Sequence, residues 1–172
     1  MHCGLRIALV SAFLTAPCFA QTGTVTFYSS APSVKDQPAG ALPSLRPFNG
    51  WVFDGQQKLA RVRDGRFVTF RLATGQHSFT ARLDPDQPGT ERVLVSIRDG
   101  KHYCLHLYSK VTLDNALLFV SLDSRIQPVP CRDAARKAGK LKSLETRRID
   151  PAVLGELDSP AAFPGVLRTT EP

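Results

Sequence analysis

The chain has 172 residues, of which 42% are hydrophobic and 22% are charged, and its formal net charge at pH 7 is +7. These proportions are those of an ordinary globular protein, so they exclude a wholly disordered chain. The length accommodates one domain with a sizeable core and leaves little room for a second.

The first 20 residues have the order of a secretory signal peptide. A short start containing Arg6 precedes an apolar run from Ile7 to Ala16, and Pro17 and Ala20 follow as a helix breaker and a small residue. Such a run is too short to span a bilayer, and no later run reaches the length of a transmembrane helix. We therefore expect cleavage after Ala20 and a periplasmic or secreted protein without a transmembrane span.

The chain contains four cysteines, and the predicted cleavage would separate them into two pairs. Cys3 and Cys18 would leave with the signal peptide, whereas Cys104 and Cys131 would remain in an oxidising compartment. An even number of cysteines in such a compartment predicts a disulfide between the two that remain. Lipidation of Cys18 is an alternative, although Pro17 directly before it fits a lipoprotein signal badly.

Residues 21–130 are predicted to form one β domain. Short runs of β-branched, aromatic and alternating apolar residues indicate seven or eight strands. Asp-Gly pairs at 54–55, 64–65 and 99–100 are hairpin turn signals, since their central positions favour positive φ. Strands with turns every 8–12 residues are typical of an all-β sandwich or barrel. No helical pattern alternates with them, which disfavours a parallel α/β sheet.

Residues 31–50 interrupt these strands and are predicted to form a long irregular loop. The segment contains four prolines, each of which lacks a backbone donor and fixes φ. A loop of this length inside a compact domain is uncommon and is often functional. A hydrolase with a site near this loop is therefore a weaker functional alternative.

Residues 131–149 combine good helix formers with positive charge and are predicted to form one basic helix. Within them, residues 132–148 hold seven Lys or Arg against two acids. We expect this face to bind an anionic partner such as lipid head groups or an acidic glycan, with an ordinary solvated face as the alternative. The four candidate binding residues are Arg136, Lys137, Lys140 and Lys142. Residues 150–172 carry scattered Pro and Gly and predict an extended or disordered tail.

Three segments carry turn motifs within residues 50–110. Residues 51–60 (WVFDGQQKLA) place an Asp-Gly turn after an apolar run, and residues 72–79 (LATGQHSF) place Gly and His after a Leu. Residues 97–104 (IRDGKHYC) place Gly-Lys before Tyr103 and Cys104. Together these motifs resemble PEGA-type domains, which are similar to the carboxypeptidase-regulatory-like sandwiches. The resemblance implies an antiparallel immunoglobulin-like or transthyretin-like sandwich in a bacterial envelope protein, usually without catalysis.

His102, Cys104 and His106 are the sharpest candidates for chemistry. On a strand, their spacing places all three side chains on one face, with Tyr103 and Leu105 on the other. Imidazole and thiolate are ligands for zinc or copper, so a metal-binding protein is an alternative function. Three ligands on one straight strand rarely close a tetrahedron, and the disulfide predicted for Cys104 competes with this role.

The chain contains no sequence motif for nucleophilic catalysis or phosphate binding: Gly-x-Ser-x-Gly, Ser-x-x-Lys and Gly-rich loops are absent. We therefore expect a protein that is not an enzyme and needs no cofactor. The function that fits best is a binding or structural module of the cell envelope, secreted or periplasmic. Its partner would be an anionic lipid head group, an acidic glycan or another envelope protein, and not nucleic acid, which an exported protein rarely meets.

Overall fold

A computed structural model describes residues 21–30, 45–87, 89, 91–114, 119–138 and 141–158. The predicted signal peptide, with its cleavage site and Cys18, lies outside the described residues. Residues 31–44 of the proline-rich segment and residues 159–172 of the predicted tail also lie outside them. The predicted hydrolase site near the proline-rich segment therefore falls largely on residues that the structure does not describe.

The described part of the chain is predominantly β, which confirms the all-β prediction. It contains ten strands, one short α-helix and two 3-10 helices. The strands are β1 (Thr22–Ser29), β2 (Leu45–Pro47), β3 (Gly50–Asp54), β4 (Gln57–Val62), β5 (Arg66–Ala73), β6 (Gly75–Arg82), β7 (Arg92–Ile97), β8 (His102–Asp114), β9 (Phe119–Val129) and β10 (Lys142–Ser143). The helices are α1 (Cys131–Ala138) and the 3-10 segments Thr146–Arg148 and Pro151–Glu156.

The strands form two sheets. The larger sheet has six strands in the order β10-β5-β1-β8-β2, with β9 also paired to β8, and the smaller has four in the order β4-β3-β6-β7. The 13-residue strand β8 is long enough to pair with β1 and then with β2 along one edge, while β9 follows its other edge. Within the described part of the chain, no helix is long and apolar enough to cross a membrane.

The sequence predicted a wholly antiparallel sandwich, but two pairs of strands in the larger sheet are parallel. β1 and β8 run parallel, with Thr24 opposite His102 and Ser29 opposite Leu107, and β10 also runs parallel to β5. The Asp-Gly signals report only on hairpins between neighbouring strands. The whole smaller sheet lies between β1 and β8 in sequence, and a crossover of that length permits a parallel pair.

The main core lies between the facing sides of the two sheets. Strand β1 shows how alternation builds it: Val25 and Phe27 are fully buried in this core, where the ring of Phe27 packs edge-on against those of Phe70 and Phe79. The alternate side chains of β1, Thr26 and Tyr28, lie on the other face of the larger sheet. This second face carries the residues of the candidate site.

Part of the predicted loop 31–50 is ordered into strands. Leu45–Pro47 form β2, and Gly50 begins β3. Pro47 is tolerated because β2 is an edge strand paired only with β8 in the described sheet. Phe48 is fully buried, and its backbone N–H donates to the Ser29 hydroxyl at 2.9 Å. Burial of this one aromatic side chain fixes the end of the segment to the core.

The predicted basic helix of residues 131–149 is wrong in its extent. The α-helix ends at Ala138, and Lys142–Ser143 then form β10 on the edge of β5. The backbone N–H groups of Lys142 and Leu144 donate to the carbonyls of Gly65 and Phe67 at 3.0 and 2.7 Å. A continuous helix would leave those carbonyls without these donors.

The predicted tail of residues 150–172 is packed over its first nine residues. Asp150 caps the second 3-10 helix by accepting the N–H of Ala152 at 3.0 Å, and Val153 is buried in the main core. The backbone N–H of Asp158 donates to the carbonyl of Thr69 at 2.9 Å. Buried Val153, partly buried Leu157 and these hydrogen bonds order a segment whose composition predicted no ordered structure.

Candidate functional site

The outer face of the larger sheet carries the predicted His-Cys-His face of β8. Leu105 and Leu107 are buried in the main core, and the alternating residues His102, Cys104 and His106 lie on the opposite face. The predicted division of the strand into two faces is confirmed. The outer face is not simply solvated, however, because α1 packs onto it through Ala134.

A disulfide joins Cys104 to Cys131, as the sequence predicted. The two Cα atoms are 5.2 Å apart, within the ordinary range for a bridge. Cys104 is in the middle of β8 and is 2% exposed, whereas Cys131 is the first residue of α1 and is partly exposed. The bridge therefore fixes the start of α1 to the outer face, where Tyr28, Phe67, Cys104 and Ala134 form a small second cluster of buried residues.

His102 is the end of a short hydrogen-bonded chain on this face. Its Nε2 is 2.8 Å from the hydroxyl of Thr26, which is 2.8 Å from the hydroxyl of Thr69. Both threonines are buried, so each hydroxyl needs its partner. His102 is exposed at the surface, yet partial burial lowers the pKa of its imidazole, and the negative charge of Asp158 opposes that shift. In the neutral tautomer that carries its hydrogen on Nδ1, Nε2 accepts a hydrogen bond from the Thr26 hydroxyl.

The structure assembles a different ligand group from the one predicted for a metal. Ligand atoms of His102, Cys104 and Cys131 all lie within 4.8 Å of one another. His106 does not join this group: its ring stacks on Tyr28 with centroids 4.9 Å apart, and its Nε2 is 3.4 Å from the Ser30 hydroxyl. His106 and His102 are four residues apart on an extended strand, so they share a face but lie well apart along it.

A groove of about 230 Å³ lies beside His106, between α1 and the sheet. Its walls include the Tyr28 and His106 rings, Gln127 of β9 and Asp133 of α1. Tyr28 is 1% exposed, and its burial, together with the negative charge of Asp133, raises the pKa of its hydroxyl to about 12. The phenol therefore stays protonated throughout the physiological range.

A second cluster of functional interest surrounds the carboxylate of Glu145. Its Oε1 lies 3.2 Å from Arg63 and 3.7 Å from Arg66, and its Oε2 lies 2.7 Å from Arg147 and 3.7 Å from Arg148. We call these five residues the arginine cluster. Four guanidinium groups share one carboxylate, so the cluster carries a formal charge of +3.

The electrostatics of the arginine cluster follow from this excess of positive charge. The hydrogen bond from Arg147 holds the pKa of Glu145 below its usual value. Partial burial opposes this shift, while the charges of Arg147, Arg63 and Arg148 reinforce it. The side chain of Arg147 is 77% exposed and that of Arg63 is 37% exposed, so both guanidinium groups are accessible to a ligand.

The predicted anion-binding residues are divided between two elements. Arg136 is exposed on α1, whereas Lys142 is exposed on β10 directly opposite Arg66 in the strand pairing. Lys142 therefore borders the arginine cluster. For Lys137 the structure describes only the backbone, at the end of α1, and Lys140 lies outside the described residues.

The sequence interpretation missed the arginine cluster. Arg147, Arg148 and Glu145 were counted only as part of a basic segment, and Arg63 and Arg66 flank the Asp-Gly turn at 64–65. Arg63 and Glu145 are 82 residues apart in sequence. The pairing of β10 with β5 and the bridge between Ala60 and Ile149 bring them together, and no local sequence pattern predicts these contacts.

Two residues from the turn motifs that resemble PEGA-type domains also contact each other. Nδ1 of His77 is 2.5 Å from Oδ2 of Asp54, and its Nε2 is 2.9 Å from the carbonyl oxygen of Ala73. The other carboxylate oxygen of Asp54 accepts the backbone N–H of Ser78 at 3.1 Å.

No protein-family model, curated protein or solved structure matches the chain.

Proposed function

We propose that the protein is a non-catalytic binding module of the cell envelope, periplasmic or secreted, that binds phosphate- or sulfate-bearing partners through the arginine cluster. The observation that carries this proposal is the sharing of one carboxylate by four guanidinium groups. Anionic lipid head groups and acidic glycans both present the required anions in closely spaced arrays.

The excess charge of the arginine cluster favours an added anion. Guanidinium groups this close repel one another, and Glu145 neutralises only one of the four charges. A planar guanidinium donates two parallel hydrogen bonds to phosphate or sulfate oxygens, which a lysine ammonium cannot do. Glu145 holds the arginines in place, which lowers the entropy lost on binding, but its negative charge opposes an added anion, and we expect the charge to have the larger effect.

The surroundings of the arginine cluster extend its positive surface. Lys142 lies opposite Arg66 across the strand pair, and Arg147 is the most exposed member of the cluster. Each exposed cation near an anionic membrane contributes about 1 kcal/mol of binding energy. Arg136 is exposed on α1, and we propose it as a further anion-binding residue on the ground of its charge and exposure alone.

The disulfide supports the proposed compartment, because such bridges persist mainly in oxidising environments. We further propose a PEGA-like, immunoglobulin-like or transthyretin-like relationship for the two sheets. The three turn motifs support it, as does the meeting of Asp54 with His77. The parallel pairing of β1 with β8 differs from the wholly antiparallel sandwich that the resemblance implies.

The environments of the hydroxyl and sulfur groups beside His102 support a non-catalytic role. The Thr26 hydroxyl that contacts His102 belongs to a fully buried residue, so no substrate reaches it. Cys104 and Cys131 are joined in the disulfide, which leaves neither thiol free to attack. These groups serve packing and placement better than nucleophilic catalysis.

Vesicle co-sedimentation tests the proposal. We expect binding to vesicles that contain an anionic phospholipid, weakened by salt, and little binding to zwitterionic vesicles. The double variant Arg63→Ala/Arg147→Ala should bind about 10- to 30-fold more weakly, on the basis of about 1 kcal/mol for each cation. The control Arg92→Ala/Arg98→Ala removes the same charge from two exposed arginines elsewhere.

A sulfated polysaccharide column provides the second arm of this experiment. Retention on the column without vesicle binding would identify an acidic glycan as the partner, and the reverse result would identify a lipid. Equal losses in the two double variants would mean that net charge alone drives binding. That result, or a protein that binds neither the vesicles nor the column, would contradict the proposal.

A further inference from the structure

The outer face of β8 brings three soft ligands together, and two of them form the disulfide. Ligand atoms of His102, Cys104 and Cys131 all lie within 4.8 Å of one another. We propose that reduction of the disulfide converts this group into a binding site for Zn²⁺ or a similar thiophilic divalent ion. The site is separate from the arginine cluster and does not depend on the function proposed for it.

The existing distances come close to those of a tetrahedral zinc site. With Zn–S of about 2.3 Å and Zn–N of about 2.0 Å, a tetrahedron places sulfur and nitrogen about 3.5 Å apart. The Sγ of Cys104 is 3.9 Å from Nε2 of His102. The largest change is that the two sulfurs must separate, from bonding distance to about 3.8 Å, while the Sγ of Cys131 already lies within 4.8 Å of the His102 nitrogen.

Two of the three ligands are held on fixed backbone. Cys104 lies in the interior of the sheet, opposite Thr26 on β1 and Val129 on β9. His102 is on the same strand, and its ring is oriented by the Thr26 hydroxyl. The adjustment therefore falls on Cys131, which is partly exposed at the start of α1.

The hydrogen-bonded threonines accommodate coordination through Nε2. A metal at this nitrogen replaces the hydrogen bond from Thr26, whose hydroxyl keeps its partner in Thr69, 2.8 Å away. Neither of these two threonine hydroxyls loses its last partner, so the exchange avoids the penalty for an orphaned polar group. Three protein ligands leave one tetrahedral position for water or an external donor.

The redox step balances with a thiol reductant. Two reductant thiols are oxidised to their disulfide, and the two electrons and two protons they give up convert the Cys104–Cys131 bridge into two thiols. Zn²⁺ then displaces one proton from each thiol to solvent and accepts a lone pair from His102. Metal binding is thereby coupled to the redox state of the bridge.

The test compares zinc binding by oxidised and phosphine-reduced protein, with a chromophoric chelator as competitor. We expect one Zn²⁺ per reduced molecule and none for the oxidised molecule. His102→Ala should weaken binding by about tenfold or more, because it removes one of three ligands. The matched control is His106→Ala, since His106 is on the same strand face but outside the ligand group.

A second measurement starts from the folded, bridged protein. In a fixed buffer of monothiol and its disulfide, added Zn²⁺ should raise the fraction of reduced protein, counted by thiol alkylation and mass spectrometry. His102→Ala should diminish this rise, and His106→Ala should preserve it. Equal zinc affinity for wild type and His102→Ala would indicate chelation by thiols alone and would overturn the proposal. Loss of binding in His106→Ala, or no binding by the reduced protein, would overturn it as well.

Discussion

Asp54 and His77 are joined by a 2.5 Å hydrogen bond between Oδ2 and Nδ1, which ties the β3–β4 hairpin to the first residues of β6. The same histidine reaches the Ala73 carbonyl through Nε2, and the same aspartate accepts the N–H of Ser78. Both side chains are mostly buried, with exposed fractions of 17% and 20%. Four hydrogen-bonding atoms in these two side chains thus connect two turns that the sequence predicts as separate motifs.

We expect His77→Ala to destabilise the fold by about 1.5–3 kcal/mol, the range for hydrogen bonds to charged groups. The loss includes both ring hydrogen bonds and the stacking of His77 on Phe79, whose centroids are 5.9 Å apart. Urea denaturation followed by circular dichroism measures the change. Gln76→Ala, at the exposed neighbouring position, is the control and should stay within about 0.5 kcal/mol of wild type. Equal stability of the two variants would contradict a structural role for the contact.

Glu145→Gln should strengthen binding to anionic vesicles. The substitution removes the one carboxylate that the four arginines share and raises the formal charge of the arginine cluster by one. By the scale of about 1 kcal/mol for each unit of charge at the membrane surface, the affinity should rise about fivefold. Co-sedimentation at two salt concentrations measures it.

The control for this gain is Glu91→Gln, which removes one of the two acidic partners of Arg125 at a separate place on the surface. Both variants change the net charge equally, so only a local effect distinguishes them. A fall in affinity for Glu145→Gln would show that the carboxylate organises the arginines more than it competes with the ligand. An equal gain in both variants would argue against the arginine cluster as the binding site.

Removal of the disulfide by Cys131→Ala should destabilise the protein by about 3–4 kcal/mol in the chain-entropy account of a bridge that spans 27 residues. The loss should fall mainly on the attachment of α1, which otherwise packs on the outer face through Ala134. Hydrogen exchange should show faster exchange in α1 than in β1. Uniform loss of protection across both elements would contradict a local role for the bridge.

The predictable parts of the molecule are those that local sequence encodes. Alternation along β8 divided Leu105 from His102 and Cys104, because side chains on any strand point to opposite faces in turn. The bridge followed from the expected compartment and from an even cysteine count. Neither inference needed knowledge of which strands are neighbours.

The unpredicted parts depend on contacts between distant segments. The parallel pairing of β1 with β8 and the docking of β10 on β5 leave no signal in either strand alone. Residues 142–144 have good helix formers, yet the free edge of β5 offers carbonyls that a strand satisfies and a helix does not. Tertiary hydrogen bonds outweigh propensity there, and the arginine cluster arises from the same docking.

Tyr28 should make stability fall as the solution becomes strongly alkaline. Its pKa is about 12 in the fold against 10.0 for an unperturbed tyrosine, because the buried ring disfavours the phenolate and Asp133 adds repulsion. The unfolded chain therefore ionises first, so the stabilisation is complete below pH 10 and declines as the pH rises towards 12. Two pKa units correspond to about 2–3 kcal/mol. Urea denaturation of wild type and Tyr28→Phe between pH 9 and 11 measures the difference in slope, and the variant should lose stability less steeply. Parallel pH profiles for the two proteins would show that Tyr28 ionises as readily in the fold as in the unfolded chain.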